Sequence, residues 1–340
     1  MGTRRKFLST LGTGLLTAPL ALARSSSRRP SLWDMIANDA PVGTPAHKPD
    51  PFSWDDSTLT AAWVGHSTIL IDFFGTWILT DPVFSERIGL NVAGLFTIGP
   101  KRLVAPALSI EELPRIDLIL LSHAHLDHLD LPSLKKLNRS VPVIMAANTS
   151  DVIADLEFPT VYELDWGKWT EAAGVRVEAI EVKHFGWRYP WEHDRSKGYW
   201  DGRSYNAYLI SRNGHHIVFG GDTAYQEFFK ALASRGICVD LAMMPIGAYD
   251  PWIRVHANPE QALVMADHMG AARVFPMHWH TFIQSVEPTM EPIERLKRAA
   301  AANPGRIVLD SIGQTWTLGP VPAPKDGDLR PGTGEATPHL

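Results

Sequence analysis

The apolar run Ile116–Leu121 passes directly into Ser122-His123-Ala124-His125-Leu126-Asp127-His128, and no other stretch limits the fold as narrowly. An apolar run of strand length fits a strand covered on both faces. Loops that follow such strands are where α/β sheets gather their ligands. Neutral imidazoles bind borderline-soft divalent metals, and a neighbouring carboxylate lowers the net charge of the site and can orient a water. Set on a turn, these four groups can converge in two clusters.

Four groups are too few for such a centre, and other strand ends supply candidates. His184 follows the run from Val175 to Lys183. Asp222 follows Val218-Phe219-Gly220-Gly221, whose glycines permit close backbone approach. His278 follows Val274-Phe275-Pro276-Met277. Each is the first metal-competent residue after an apolar run, so each can point into one cleft at a shared sheet edge. His47, His193, His215, His216, His268 and His339 fall in linkers, a hairpin, a helix or the tail, and read as solvated or structural.

Short β-type runs cover Thr60–Val64, Thr68–Phe73, Trp77–Leu79, Val141–Ala146, Val175–Val182, Tyr205–Ser211, His215–Phe219, Leu241–Met244 and Arg273–Pro276, with Ile307–Leu309 and Thr315–Leu318 closing the pattern. Helical periodicity covers Leu131–Leu137, Tyr225–Ser234, Pro259–Met269 behind an Asn258 N-cap, and Ile293–Ala301. Strands alternating with helices, plus hairpins, predict an α/β sandwich with no boundary between Leu59 and Leu318. The expected organisation is a signal segment over 1–23, a linker or arm over 24–56 with Trp33 and Trp54 as docking points, a catalytic domain over 57–318, and a polar, disordered tail over 319–340.

The signal segment rests on Arg4-Arg5-Lys6-Phe7-Leu8, a modestly apolar run from Leu11 to Leu22, and small residues at Ala21-Leu22-Ala23. That is a twin-arginine pattern, and it predicts passage through the twin-arginine export machinery to the periplasm or the extracellular space. The run is too short to be a good membrane span. A net charge of −5 offers no basic footprint for nucleic acid, which is not expected as a partner. A single cysteine, Cys238, excludes an internal disulfide and a multi-thiolate zinc site.

The His123–His128 motif, His184, Gly221-Asp222-Thr223 and His278 resemble the metallo-β-lactamase superfamily in order and approximate spacing. Trp63-Val64-Gly65-His66, Leu79-Thr80-Asp81-Pro82, Gly99-Pro100-Lys101-Arg102, Glu163-Leu164-Asp165-Trp166, Pro245-Ile246-Gly247-Ala248-Tyr249 and His278-Trp279 resemble its branch of N-acylphosphatidylethanolamine-hydrolysing phospholipases D. The resemblance implies a four-layered αββα sandwich and two divalent metal ions; nitrogen and oxygen ligation admits zinc, iron or manganese, with zinc the expected metal. It implies that His123, His125 and His184 hold one ion, that Asp127, His128 and His278 hold the other, and that Asp222 bridges them. Asp81 matches an early aspartate that accepts the free ring N–H of a ligating histidine; an Asp-Pro turn is the other reading. His256 matches a histidine near the reacting phosphate, or serves as a hydrogen bonder at the helix entry. His280 stands where that branch usually has glycine: a surplus ligand, a proton shuttle, or a ring packed by Trp279 and Phe282.

The implied reaction is hydrolysis by a metal-bridging hydroxide, with Asp127 and Asp222 orienting the nucleophile and His256 stabilising charge. The first expectation is a phosphodiesterase of phospholipase D type acting on an N-acyl phospholipid or similar amphiphile. A lactonase or amidase is the alternative within the superfamily, and a non-catalytic metal-binding module the alternative outside enzymes. Trp187, Tyr189, Trp191, Tyr199, Trp200 and Tyr205, with Arg188 and Arg195 among them, suit a small-molecule or lipid substrate, its phosphate, and contact with a membrane surface; packing of a long loop is the plainer reading. Tyr249 and His280 are the further candidates for substrate contact.

Overall fold

The structure, a computed structural model, describes residues 28–92 and 95–319. The predicted signal segment over 1–23 and residues 320–340 of the predicted tail lie outside the described residues. The strands run in order as β1 (Leu59–Gly65), β2 (Thr68–Phe73), β3 (Trp77–Thr80), β4 (Leu90–Val92), β5 (Phe96–Ile98), β6 (Leu118–Leu121), β7 (Val143–Ala146), β8 (Val161–Leu164), β9 (Trp169–Ala172), β10 (Val175–Glu181), β11 (Asn206–Arg212), β12 (His215–Phe219), β13 (Leu241–Pro245), β14 (Arg273–Met277) and β15 (Thr315–Thr317). They form a seven-stranded sheet in the order β15-β1-β2-β3-β6-β7-β8, a six-stranded sheet in the order β14-β13-β12-β11-β10-β9, and the separate hairpin β4-β5.

Alternation along the central strands explains why they read as unbroken apolar runs. Ile69, Ile71, Leu118 and Leu120 face the core shared by the two large sheets. Leu70, Leu79, Ile119 and Leu121 face the opposite side, against Leu134, Leu137, Ile153 and Leu156. Helix α2 (Leu131–Leu134) therefore lies outside the first sheet. After α3 (Lys230–Ser234) come α4 (Pro259–His268) and α5 (Glu291–Ala299). These two pack on each other, and α4 packs on β13, which covers the second sheet. The result is the αββα sandwich. Each fully buried Leu or Ile side chain contributes about 1.5–3 kcal/mol, so the doubly covered strands form rigid mounts for whatever their ends carry.

Four differences from the sequence reading have local causes. The predicted helix over 225–234 is helical only over Lys230–Ser234, because the Gln226 side chain takes the Phe228 N–H and offers the backbone an alternative to the helix. The strand expected from Ile116 starts at Leu118, since the Asp117 carboxylate accepts from Trp77 N at 3.1 Å. Ile307–Leu309 makes only a single bridge, from Ile307 to Val274. Strands β8 and β9 and the hairpin β4-β5 were not predicted; they are short, and several of their positions are exposed.

Within 24–56, a helix α1 (Leu32–Ala37) starts at a capping box between Ser31 and Asp34. Trp54 stacks on Trp77 at 5.3 Å, whereas Trp33 is 74% exposed.

Candidate metal centre

The two sheets bring their polar ends together at one edge. From the first sheet come His66, in the left-handed turn after β1, Asp81 after β3, and His123–His128 after β6. From the second come His184 beyond β10, Asp222 after β12 and His278 after β14. Gly221 makes the close approach possible: a Cβ there would lie 2.6 Å from the Asn206 carbonyl oxygen and 2.9 Å from Ser122 Cβ.

Two groups of four potential ligand residues result, besides a trio of Asp222, His256 and His278. In the first, His125 Nδ1 lies 2.8 Å from His123 Nε2 and 3.2 Å from His184 Nε2, with Asp222 completing the set. In the second, Asp127 Oδ2 lies 3.4 Å from both His128 Nε2 and His278 Nε2, and 3.0 Å from His66 Nε2. Asp222 Oδ2 sits between the groups. It is 3.1 Å from the Nε2 atoms of His128 and His278, and 3.9 and 4.0 Å from those of His184 and His123. His256 Nδ1 is 3.8 Å from the same oxygen.

The donor set fits divalent cations. Nε2 of His128 and of His278, together with Asp222 Oδ1, are buried and make no hydrogen bond, which is costly for polar atoms that have nothing to hold. The charge balance points the same way. Burial opposes protonation of His278, yet Asp222 and Asp127 outweigh it and push it up to about 9. His128 is likewise raised well above its ordinary value, against burial, by Asp222, Asp127 and Asp81. Burial and the neighbouring imidazoles hold His123 and His125 well below theirs. The carboxylates thus demand positive charge, and cations would take the place of the protons on His128 and His278.

The surrounding residues aim the imidazoles. Asp81 is fully buried, and its Oδ2 accepts from His128 Nδ1 and from Ser122 Oγ, each at 2.6 Å. Ser122 Oγ lies 2.8 Å from His123 Nδ1, so one carboxylate orients a histidine in each group. His184 Nδ1 donates to the Val255 carbonyl at 2.9 Å. Arg188 is buried and donates to the carbonyls of Ala124 and Leu129, which clamps the His123–His128 loop; it is not free to meet a phosphate. Arg195 is engaged with Asp165 and Trp166.

Among the residues that sequence reasoning did not assign to the site are His66 and Gln284, which both reach Asp127. Burial, then the His278 charge, lowers His66 to about 3, so it is neutral and can donate from Nε2 to Asp127. Gln284 Nε2 donates to the same oxygen at 2.6 Å. His66 follows an apolar run, as His184 and His278 do, and that signal was present; Gln284 carries none.

A cavity of about 940 Å³ opens over the centre. Asp127, Asp222, His125 and His256 reach it from below, Phe185, Trp187, Trp252 and Ile253 form apolar walls, and Arg254 lines it as well. The structure does not bring Tyr249 to this cavity; its hydroxyl donates to Glu291 at 2.7 Å and its ring lies under Arg295. Nor does His280 join either ligand group; it lies 3.2 Å from Thr289 Oγ1 and packs beside Trp279. The His256 ring faces Asp222 while Asn258 caps α4. Of the other aromatics, Tyr189 stacks on Trp191, Tyr199 stacks on His193, and Trp200 is 87% exposed.

Comparison with known proteins agrees with this architecture. The family model described as the β-lactamase superfamily domain matches residues 76–279. An uncharacterized protein of Mycobacterium tuberculosis is 31% identical over 82% of this chain and 74% of its own length. The N-acyl-phosphatidylethanolamine-hydrolyzing phospholipase D 1 of Caenorhabditis elegans is 30% identical over 77% of this chain and 76% of its own. The isothiocyanate hydrolase from Delia radicum gut bacteria superposes with a TM-score of 0.59 at 15% identity, over 76% of this chain and 99% of that one, and so shares the fold. The chain belongs to the metallo-β-lactamase superfamily and is a metal-dependent hydrolase that resembles the N-acylphosphatidylethanolamine-hydrolysing phospholipases D.

Proposed function

We propose that the protein is a phosphodiesterase of phospholipase D type, holding two zinc ions and acting on an N-acyl phospholipid or a similar amphiphile. The observation that carries the reading is the position of Asp222 Oδ2 between two ligand groups, at the floor of a large cavity whose walls are apolar. His123, His125 and His184 would hold one ion, Asp127, His128 and His278 the other, and Asp222 both. Divalent ions so held supply Lewis acidity, which lowers the pKa of water and offsets charge developing on a phosphoryl oxygen.

The side chains supply the rest. Asp222 and Asp127 orient the attacking water and accept its proton, and Asp127 is kept in place by His66 and Gln284. His256 is lowered to about 3, chiefly by burial, so it is neutral and offers the phosphate a hydrogen bond, while Arg254 offers charge from the cavity wall. Attack on phosphorus breaks the bond to the head-group alcohol. The products are a phosphomonoester and that alcohol, which takes up a proton as it leaves.

The test is elemental analysis of the purified protein, paired with N-acylphosphatidylethanolamine hydrolysis followed by release of phosphatidic acid. Two equivalents of zinc and turnover are expected, and His125→Ala should lose both together. A fully loaded protein that releases no phosphatidic acid refutes the reading. The same reading places the enzyme outside the cytoplasm, by way of the Arg4-Arg5 segment, with lipid as substrate and a membrane surface within reach.

A further inference from the structure

The cavity over the metal centre is not built by the catalytic sandwich alone. Met35 and Ile36, on α1 of the N-terminal arm, line it together with Trp252 and Ile253 from the segment before α4. The arm is fastened on both sides of these two residues. Arg29 pairs with Asp250, directly before the cavity residues Pro251–His256. Arg87 donates to the carbonyls of Ile36 and Asn38, both at 3.3 Å, and meets Asp39 at 3.1 Å. Farther on, Gly43 N donates to the Leu103 carbonyl at 2.8 Å. Although bound at these points, Ile36 remains 54% exposed. An apolar side chain held in place at a cavity wall, yet left in water, gains free energy when a ligand covers it.

We propose that α1 is a specificity element: Met35 and Ile36 form an apolar wall that receives the hydrocarbon chain of the substrate, while the phosphate lies over the metal centre. This rests on the phosphodiesterase reading for the reaction, but the wall itself concerns chain recognition only. It assigns the arm a role in substrate discrimination, with none in metal binding or chemistry. Chain length should therefore be read through KM, and small diesters should not sense the arm at all.

The test compares the full-length wild type with a Met35→Ser/Ile36→Ser double variant. A Trp33→Ser variant serves as control, because Trp33 belongs to α1 but does not line the cavity. The substrates are a long-chain N-acylphosphatidylethanolamine and the water-soluble bis(4-nitrophenyl) phosphate. Losing the coverage of two apolar side chains should raise KM for the lipid about tenfold or more. Its kcat, turnover of the small diester and metal content should hold at wild-type values, and Trp33→Ser should leave all of them unchanged. An unchanged lipid KM overturns the wall, as does equal loss on both substrates. Binding of dodecyl phosphate below its micellar concentration, read by tryptophan fluorescence, separates this proposal from the proposed reaction. Should the wild type hydrolyse neither diester, the phosphodiesterase reading falls. The wall then stands if the double variant binds dodecyl phosphate about tenfold more weakly, and falls if it binds equally well.

Discussion

Asp81→Asn is the substitution that most sharply tests how the centre is aimed. The Asp81 carboxylate accepts three hydrogen bonds in a fully buried site: from Ser122 N at 2.7 Å, Ser122 Oγ at 2.6 Å and His128 Nδ1 at 2.6 Å. Burial raises its pKa, against the His128 charge and these hydrogen bonds, which pull it down. An asparagine can keep its oxygen on Ser122 N, but it then turns an NH2 group towards His128 Nδ1 and Ser122 Oγ. Two donors would face each other, and His128 escapes by moving its proton from Nδ1 to Nε2. Nε2 is the atom turned towards Asp127 and Asp222, so the escape blocks the metal-facing nitrogen. Ser122 Oγ loses its acceptor too and can no longer hold His123 Nδ1 as it does now. Loss of a partner that orients a ligating histidine typically costs 10–100-fold in metal affinity, about 1.4–2.8 kcal/mol. Because Asp81 reaches one histidine in each group, both groups should weaken by that order. Competition against a chromophoric chelator measures the affinity, and thermal unfolding of the metal-free protein checks that the fold survives. Wild-type affinity in a folded Asp81→Asn protein, or weakening confined to one equivalent of metal, refutes the reasoning.

Three further outcomes can be checked, two drawn from the structure and the third from the sequence alone. His66→Ala removes one of the donors on Asp127 Oδ2 and a ring packed 4.1 Å from His278; kcat should fall about tenfold or more, and an unchanged kcat at full metal content would dismiss His66 from the site. Asp72 is fully buried and its pKa is raised to about 6, first by burial and next by Asp56. It binds its proton more tightly folded than unfolded, so it lowers stability increasingly as pH rises from about 4 to about 6, and by a constant amount above. Asp72→Asn keeps an acceptor for Gly75 N and should raise Tm by about 2 °C or more near neutral pH; a gain that persists below the ordinary carboxylate range contradicts this. On the proposed twin-arginine route, Arg4→Lys/Arg5→Lys should abolish export while leaving metal content and activity of the retained protein intact, as cell fractionation would show.

The central strands and the strand-end ligands were legible because one cause produces both signals. A sheet covered on two faces requires apolar residues at successive positions, and the polar residues that follow such a run leave the sheet at its edge. His123, His184, Asp222 and His278 all stand there. His66 stands there too, after Trp63-Val64-Gly65, in a motif that carries the family resemblance, but with no neighbouring ligand in sequence to give it a role. Its assignment depends on pairing across the fold: Thr281 Oγ1 takes its N–H, and its carbonyl accepts from Trp63 Nε1 and His278 N. Arg188 misled for the opposite reason. Sequence placed a cation among aromatics, whereas only the fold reveals that it is buried, with Nη1 committed to the Ala124 and Leu129 carbonyls at the metal-binding loop. The Ser31/Asp34 capping box of α1 was present in the sequence, but six helical residues are too few for a periodicity to declare itself.

Because the ligands come from both sheets, metal removal should loosen the sandwich as well as silence the site. His66, Asp127 and His128 belong to the first sheet, and His184, Asp222 and His278 to the second; an unfolded chain cannot assemble them. Binding that favours the folded state stabilises it by about 4 kcal/mol when free metal is a thousand times its Kd. The full amount is not expected, since His123, His125, Asp127 and His128 are neighbours in sequence and retain some affinity for metal in the unfolded chain, which subtracts from the difference. Chelation should therefore lower Tm by several degrees, and metal added back should restore it. In Asp222→Ala, which lacks the carboxylate shared by the two groups, the chelator should act much less. Tm independent of chelator in the wild type would mean that the two sheets already hold the ligands in place without a cation, and that the raised pKa of His278 reflects a stable network of protonated histidines and carboxylates.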